Sequence, residues 1–412
     1  MNWLGFLHKK IYLQLKVNKE IYMKANQIYS SHFNETITIK RVLGSIKGDD
    51  KTPTVIFFGG IHGNEIAGVL GLNKVISTVK KEAISFQGNM YAICGNIAAI
   101  KKNVRYNKVD LNRIWSKELI NKEQENNISE FEEQKAIYKV IKEIIRNNKG
   151  PFYFIDLHTT SSDSIPFITI SDSLNNRKFS SNFKIPTILG IEEFLEGPLL
   201  TFINEFGHIS IGFEAGQHFK ESSVDNCVAF IWLALVTSGC VAKKNVKKNN
   251  FYEQYLSMYN ETQEFYEIKY RYVIKKGEVF KMLEGFSNFE KIKLGVTLAT
   301  NNVSTIKSEL KGNIFMPLYQ EQGEDGFFII RKISKFWMHL SKIVRKLHLD
   351  SLLKILPGIK NYKNNSYTLI VNPKTARFLA TEILHLFGYR KKIKKNGELY
   401  FFKRDRKITM MS

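Results

Sequence analysis

The sequence predicts an α/β fold, in which a β-sheet carries helices on its faces. Short, continuous apolar runs alternate with helical patterns between about Thr54 and Thr237, and this alternation is typical of such folds. The length of 412 residues suggests two or three domains, and the hydrophobic fraction of 43% is enough to build real cores. These values exclude a wholly disordered chain.

Four apolar runs have the composition and length of buried strands. Gly59-Gly60 ends the first run, and Gly95-Asn96 ends the second. We therefore predict strands at 54–58, 90–94, 152–157 and 209–213.

Helical patterns lie between these strands. One extends from Asn64 to about Val79, and a buried helix is predicted over 224–237. Another begins at Ser129, where Glu132 three residues later completes a capping-box pattern, and it ends before Gly150-Pro151.

Composition divides the chain into three parts. A run of Lys and Asn at about 243–250 is interpreted as a linker, so residues 1–250 form the first domain. Turn signals at Lys276-Gly277, Asn301-Asn302 and Gly312-Asn313 predict a small β-rich domain over 251–330. Residues 331–412 form a C-terminal extension of mixed α and β pattern, with a helix bracketed by Asn372-Pro373 and Gly388 and a hairpin turn at Asn396-Gly397.

The net charge of +22 is concentrated in that extension. Residues 331–412 contain 20 Lys and Arg against 4 Asp and Glu, a net charge of +16. Apolar residues recur there at helical spacing from Phe336 to Leu353 among basic residues, which predicts a basic amphipathic helix. Such a helix either lies on an anionic membrane surface or packs its apolar face on the body of the protein. No recognisable nucleic-acid-binding module accompanies the charge, so a nucleic-acid partner is not expected.

Cysteine usage and hydropathy limit the remaining classes. Cys94, Cys227 and Cys240 are far apart and form no C-x-x-C pair, so we expect buried thiols and neither a disulfide framework nor a cysteine zinc site. No run of about 18 apolar residues and no signal-peptide pattern is present. The expectation is a soluble, cytoplasmic protein.

Three side chains form a candidate metal site. His62 and Glu65 follow the first predicted strand three residues apart, so an imidazole and a carboxylate can reach the same point. His158 follows the strand predicted at 152–157 and offers a third ligand. Two His and one Glu leave a fourth position for water, as in catalytic zinc sites. The His62 and Glu65 pair alone is weak evidence, because a chain with 9 His contains a His and a Glu three residues apart by chance fairly often. A histidine at the end of a strand, such as His158, is likewise more often structural.

Four motifs together resemble the succinylglutamate desuccinylase/aspartoacylase family, a branch of the zinc carboxypeptidase-like hydrolases. They are Gly60-x-His62-Gly63-Asn64-Glu65, Arg105-Tyr106-x-x-x-Asp110-Leu111-Asn112-Arg113, Asp156-Leu157-His158-Thr159-Thr160 and Gly212-Phe213-Glu214-Ala215-Gly216. The resemblance covers about Thr54 to Thr237, with a weaker likeness up to about Ile330. It implies that 1–250 is a zinc carboxypeptidase-like catalytic domain, with a mixed sheet flanked by helices.

The resemblance also implies a role for each motif residue. It implies one Zn²⁺ per chain, and a small-molecule N-acyl amino acid or related amide whose amide bond is cleaved by metal-activated water. The implied ligands are His62, Glu65 and His158, Glu214 is the general acid/base, Arg105 polarises the scissile carbonyl, and Asn112 with Arg113 holds a substrate carboxylate. Asp110 is expected to cap or pair locally, and Asp156 either bonds His158 or bonds loop amides.

The sequence departs from the family at two places, the stretch before Glu214 and the C-terminal extension, which matches no part of either named enzyme. Aspartoacylase-like chains carry an Arg shortly before the catalytic Glu, whereas Asn204 occupies about that place here and no Lys or Arg lies between Pro186 and Phe219. A neutral or basic N-acyl amino acid, or a small amide with one carboxylate, is therefore an alternative to an acidic substrate. Lys101, Lys102 and Lys108 are candidates to compensate for the missing charge, although a charge run of this kind is usually a solvated face.

Two other functions stay open at this point. One is a metallocarboxypeptidase that acts on short peptides, and the position of the β-rich domain would distinguish it. The other is a non-enzymatic protein that binds a membrane surface or a partner through the basic extension. The sequence also leaves open whether the chain forms a homo-oligomer.

Overall fold

The structure is a computed structural model that describes residues 21–411 except 25, 31, 33, 51, 122–127, 261, 363, 364, 366 and 376–379. Strands and helices alternate through the first half of the described chain. The strands are β1 (Ile21–Lys24), β2 (Gln27–Ser30), β3 (Glu35–Thr38), β4 (Val42–Ile46), β5 (Thr54–Gly59), β6 (Asn89–Cys94), β7 (Phe152–Thr160), β8 (Phe167–Ile170), β9 (Thr187–Leu189), β10 (Ile209–Gln217), β11 (Phe265–Val273), β12 (Lys281–Met282), β13 (Lys291–Ile292), β14 (Thr297–Thr300), β15 (Thr305–Lys307), β16 (Gly312–Phe315), β17 (Asp325–Lys332), β18 (Ile359–Asn361), β19 (Thr368–Val371), β20 (Tyr389–Lys395) and β21 (Glu398–Lys403).

The helices lie mostly between the strands of the first domain. They are α1 (Ala67–Glu82), α2 (Ile97–Ile100), α3 (Lys117–Asn121), α4 (Ser129–Asn147), α5 (Leu174–Ser180), α6 (Leu199–Asn204), α7 (Glu221–Ser238), α8 (Asn249–Ser257), α9 (Lys335–Lys346) and α10 (Ala380–Leu386). Short 3₁₀ helices cover Leu111–Arg113, Ile191–Glu193, Lys243–Asn245 and Leu349–Ile355.

An 11-stranded mixed sheet organises the molecule, in the order β13-β16-β17-β11-β9-β8-β10-β7-β5-β6-β4. Its centre is parallel, because β5 pairs in parallel with both β6 and β7, and β7 pairs in parallel with β10. The predicted α/β architecture with a large mixed sheet is confirmed.

The central strands are buried on both faces, which explains their continuous apolar sequences. In β5, Val55 and Phe57 pack with α1 and α7 in one core, while Ile56 and Phe58 pack with α4 and α6 in a second core. Because β5, β7 and β10 are parallel neighbours, their carboxyl ends lie at the same edge of the sheet.

Two predicted boundaries in the first domain differ from the structure. The helix predicted from Asn64 begins at Ala67, because residues 61–66 form a loop in which the Glu65 amide donates to the His62 carbonyl. The helix predicted at Ser129 does begin there, but its N-cap position is Ile128 and no side chain caps it. The Ser129 hydroxyl instead accepts a hydrogen bond from Asn107.

The segment predicted as a linker is ordered and partly helical. Lys243–Asn245 forms a 3₁₀ helix and Asn249 begins α8, while Val246 packs into the main core. Apolar contacts of Val246 and Leu256 therefore override the polar composition of the run.

The β-rich part continues the large sheet. β11, β17, β16 and β13 extend its edge beyond β9, and β12, β14 and β15 form a separate three-stranded sheet. The turn predicted at Gly312-Asn313 is wrong, since both residues lie in β16, where Gly312 pairs with β13 and Asn313 pairs with β13 and β17. The boundaries at 250 and 330 stay predictions.

The described extension contains α9, α10 and a four-stranded sheet in the order β18-β19-β21-β20. Asn396 and Gly397 have φ values of +52° and +78° and connect β20 to β21, as the hairpin prediction requires. Part of the helix predicted between Asn372 and Gly388 lies outside the described residues. Cys94, Cys227 and Cys240 are buried free thiols, and none of the described helices is long and apolar enough to cross a membrane.

Candidate active site

The candidate site begins with the loop between β5 and α1, which carries His62 and Glu65. Gly63 lets this loop pack directly on the backbone of Ala99 and Ile100, where a Cβ atom would clash. The Gly63 amide also donates to the Arg105 carbonyl at 3.0 Å. The loop is thereby held against the segment that supplies the second motif.

His158 comes from the adjacent strand β7 and completes a three-residue cluster. The Nδ1 atoms of His62 and His158 each lie 2.9 Å from a different oxygen of Glu65. One ligand atom from each residue lies within 4.8 Å of the other two, and all three side chains are buried. Although burial raises the pKa of Glu65, both histidines hold it well below its usual range.

The donor set of this cluster fits a divalent cation. Two imidazole nitrogens and one carboxylate are the ligands of many catalytic zinc sites. The outer nitrogens are also fixed, because His62 Nε2 lies 3.0 Å from Asp110 and His158 Nε2 lies 2.7 Å from Asp156. Such carboxylates set the tautomer and orientation of metal-binding histidines. Asp156 therefore takes the first of its two predicted roles.

Asp110 does more than the local role predicted for it. It accepts from the Asn112 amide at 2.8 Å, which is the expected cap, and it also contacts His62 and Arg105. Burial raises the pKa of Asp110, but His62 and the Arg105 guanidinium bring it well below its usual value. Asp110 lies 48 residues after His62 in the sequence, so no local pattern predicts the contact between them.

Arg105 points its guanidinium into the cluster. Its Nη1 donates to Glu65 and its Nη2 to Asp110, each at 3.2 Å. Burial lowers the pKa of Arg105, but the two carboxylates raise it above its usual value. The site therefore contains a fixed, permanently charged donor beside the candidate metal ligands.

Glu214 lies on β10, directly opposite His158 in the parallel pairing with β7. Its Oε2 is buried and accepts no hydrogen bond within the described part of the chain. Burial raises the pKa of Glu214 to about 8; His158 opposes this rise, while the carboxylates of Glu65 and Asp156 add to it. A divalent cation at the cluster would favour the charged carboxylate and lower this pKa.

Asn112 and Arg113 lie on the 3₁₀ helix 111–113 and line the same cavity as the other predicted site residues. Asn112 Oδ1 accepts from the Leu199 amide at 2.9 Å. Arg113 Nη2 pairs with Asp325 of β17 at 3.1 Å, and Arg271 pairs with the other oxygen of Asp325. The guanidinium expected to hold a carboxylate is therefore already paired with a carboxylate of this chain.

The cavity contains five carboxylates and two guanidinium groups, counted over the described residues. Lys101, Lys102 and Lys108 are exposed and do not line it, and Asn204 is buried elsewhere on α6. These lysines therefore follow the second alternative, a solvated face, and do not compensate for the missing charge. Uncharged polar side chains, histidines and apolar side chains share the rest of the lining, and the apolar ones include Ile191, Leu195, Leu200, Met316 and Phe328.

The segment between β16 and β17 covers the cavity. Gln320 accepts from Asn64 at 2.9 Å, and Gln322 accepts from the Arg105 amide at 3.0 Å and donates to the Tyr106 carbonyl at 3.1 Å. Residues of the β-rich part thus close over the loop that carries His62 and Glu65 and over the segment that carries Arg105.

Sequence reasoning missed His218 and Asp325 as site residues. His218 lies between Thr159 Oγ1 (2.6 Å) and Gln320 (3.2 Å), and burial lowers the pKa of its imidazole. The signal for His218 is its position four residues after Glu214. Asp325 lies 212 residues from Arg113, so no local pattern identifies it.

Comparisons with known proteins agree with the four motifs. Residues 51–228 match the family model described as the succinylglutamate desuccinylase/aspartoacylase catalytic domain, which confirms the resemblance. The chain is 28% identical over 158 residues to succinylglutamate desuccinylase of Photorhabdus laumondii, covering 37% of this chain and 48% of the relative. It is 31% identical over 141 residues to aspartoacylase of Xenopus tropicalis, covering 33% of this chain and 42% of the relative.

The chain thus spans about half the length of the curated relatives it matches. A crystal structure of succinylglutamate desuccinylase from Vibrio cholerae superposes with a TM-score of 0.53 at 14% identity, covering 70% of this chain and 85% of that one. This structural likeness shows the shared fold.

Proposed function

We propose, with the confirmed family likeness of residues 51–228 as the premise, that this protein is a zinc-dependent amidohydrolase that cleaves the amide bond of a small N-acyl amino acid. The observation that carries the proposal is the His62, Glu65 and His158 cluster, in which both outer imidazole nitrogens are bonded to carboxylates.

The proposed roles follow from the positions of the side chains. His62, Glu65 and His158 would hold one Zn²⁺, which supplies Lewis-acid activation of water and of the scissile carbonyl. Glu214 accepts the proton of the attacking water and returns it to the nitrogen of the leaving amine. Arg105 donates to the carbonyl oxygen as negative charge develops there, an interaction typically worth about 3 kcal/mol per donor.

The charges of the cavity support a substrate with one carboxylate and an otherwise uncharged structure. Arg105 already donates to Glu65 and Asp110, and Arg113 donates to Asp325. The buried Nε of each guanidinium has no partner in the described structure, which leaves Arg105 a donor for the scissile carbonyl and Arg113 a donor for one carboxylate. No third Lys or Arg lines the cavity within the described ranges, so a second substrate carboxylate would lack a partner. We propose that Asn112 and Arg113 bind the single carboxylate and that the apolar lining accepts an uncharged side chain or acyl group.

The cover formed by Gln320 and Gln322 supports a small substrate over a long peptide. A carboxypeptidase acting on short peptides remains the second candidate, because the same cluster and arginines would serve it. Relative rates on N-acetyl-L-leucine and on dipeptides ending in leucine distinguish the two.

The proposal is tested with the zinc-loaded protein and a panel of N-acetyl amino acids. We expect turnover of N-acetyl-L-leucine or N-acetyl-L-methionine to exceed that of N-acetyl-L-aspartate by at least about tenfold. The reason is that the side-chain carboxylate of N-acetyl-L-aspartate would be unpaired in the cavity. Glu214→Gln is expected to retain zinc and to lose turnover at least about a hundredfold. Retained activity in Glu214→Gln would remove that residue from the mechanism, and preferred cleavage of N-acetyl-L-aspartate would contradict the proposed substrate.

A further inference from the structure

Helix α9 (Lys335–Lys346) and its C-cap residue Leu347 expose several large apolar side chains to solvent. Phe336, Ile343 and Leu347 are 66%, 41% and 63% exposed. Their spacing of 7 and 4 residues places them on one side of the helix, which we call the outer face. An amphipathic helix that merely covers a core would bury these residues.

The inner side of α9 is fixed by apolar and polar contacts: Met338 packs against the main core, Val344 packs against the core of the extension, and specific bonds hold the buried polar residues. Ser341 and Arg345 are its buried residues. Ser341 donates to the Leu386 carbonyl at 2.7 Å, and Arg345 bonds Asp405 Oδ2 at 2.8 Å and the Asp172 carbonyl at 2.7 Å. Rotating α9 to bury the outer face would break these bonds and leave buried charges unpaired, so the orientation is strongly determined.

A row of lysines runs beside the outer face. Lys335, Lys342 and Lys346 each directly precede one of its three apolar residues, and all three are exposed. The helix contains no Asp or Glu, and the extension around it carries a net charge of +16. Trp337 is 54% exposed in the first turn. Further exposed apolar residues, Leu352 and Ile355, follow in the 3₁₀ helix 349–355.

We propose that the outer face of α9 docks on the surface of an anionic lipid bilayer. Apolar and aromatic side chains that point outward beside a basic row are the pattern of helices that lie in the membrane interface. Each lysine near an anionic surface adds electrostatic attraction. This is the membrane alternative for the predicted amphipathic helix, and it concerns the outer face, which stays exposed while Met338 and Val344 pack inward.

The same charges disfavour other occupants. In a symmetric dimer through the outer face, the lysine rows of two copies would approach each other and repel. Nucleic-acid binding would use the lysines but would leave the central apolar residues without a partner. An anionic lipid surface would contact both the lysines, through its headgroups, and the apolar side chains, through its acyl chains.

Vesicle co-sedimentation of the full chain tests the proposal. We expect binding to vesicles of equal phosphatidylcholine and phosphatidylserine, and at least about tenfold weaker binding to phosphatidylcholine alone. The triple variant Phe336→Ser, Ile343→Ser, Leu347→Ser is expected to weaken binding to the mixed vesicles at least about tenfold. A matched control, Val279→Ser, Leu294→Ser, Val303→Ser, removes exposed apolar side chains of the β-rich part and is expected to bind as wild type.

A second measurement places the helix at the membrane. Brominated lipid in the mixed vesicles is expected to quench the fluorescence of Trp337, seen as the difference between wild type and Trp337→Phe. Absence of wild-type binding, equal binding by both triple variants, or concentration-dependent dimerisation through α9 without vesicle binding would each overturn the proposal.

Discussion

At the scale of single residues, the candidate site depends as much on side chains beside the metal cluster as on the cluster itself. Asp110 and Asp156 each fix one histidine ring through its Nε2 atom. Because both Nδ1 atoms then face Glu65, the imidazoles are already oriented toward a common point. The order of the motifs predicts the ligands, but only the fold reveals that Asp110 belongs with them.

Asp110→Asn is expected to weaken zinc binding about 10- to 100-fold, because the amide no longer favours the required tautomer of His62. Competition with a fluorescent chelator measures the affinity. Asp163→Asn, which changes an exposed carboxylate paired with Lys220, serves as the control and should bind zinc as wild type. Equal affinity in both variants would mean that Asp110 has only the capping role.

His208 offers a test at low pH. It lies against the rings of Phe152 and Phe154, both its nitrogens lack hydrogen-bond partners in the described structure, and burial lowers its pKa to about 4. The unfolded chain has an ordinary histidine pKa near 6.5, so it binds the proton first as pH falls.

Stability is therefore expected to fall between about pH 6.5 and pH 4, by up to about 3 kcal/mol from this residue. His208→Leu removes that contribution, and chemical denaturation at a series of pH values measures the slope. The exposed His339→Leu should keep the wild-type slope. A His208→Leu slope equal to wild type would show that His208 is not buried in its neutral form.

At the scale of elements, the hydrophobic pattern and the turn residues predict the strands and turns that the local sequence determines. The strands at 54–58, 90–94, 152–157 and 209–213 are found within longer strands because their apolar residues face a core on both sides of the sheet. Asn396-Gly397 forms the predicted hairpin turn because both residues tolerate positive φ.

Predictions fail where long-range contacts decide. Ser129 has a hydroxyl that could cap α4, but this hydroxyl accepts a hydrogen bond from the Asn107 side chain instead. The polar run at 243–250 resembles a linker, yet Val246 reaches the core and orders it. Arg113 and Asp325 lie far apart in sequence, and only the folded sheet brings them together. The motifs thus predict the candidate metal ligands, whereas the charge balance of the cavity can be read only from the folded structure.

At the scale of the whole molecule, the basic extension is anchored by a buried ionic cluster. Arg345 and Arg390 of the extension and Arg177 of α5 all bond Asp172. Although burial raises the pKa of Asp172, the three guanidinium groups bring it far below its usual value. This cluster holds α9 in place and thereby fixes the direction of its outer face.

Asp172→Asn is expected to destabilise the protein by about 3–5 kcal/mol, because three buried guanidinium groups lose their shared counter-charge. Glu253→Gln, which breaks an exposed pair with Lys243, should cost about 1 kcal/mol or less. Chemical denaturation measures both free energies of unfolding. A loss below about 1 kcal/mol in Asp172→Asn would mean that the cluster does not attach the extension to the body.

The central claim is that His62, Glu65 and His158 bind one divalent metal ion, and zinc stoichiometry tests it most directly. Isothermal titration of the metal-stripped protein with Zn²⁺ is expected to give one site per chain, and His158→Ala should weaken that site at least about a hundredfold without unfolding the protein. Wild-type protein that binds no zinc, or His158→Ala protein that binds it as tightly as wild type, would contradict the account.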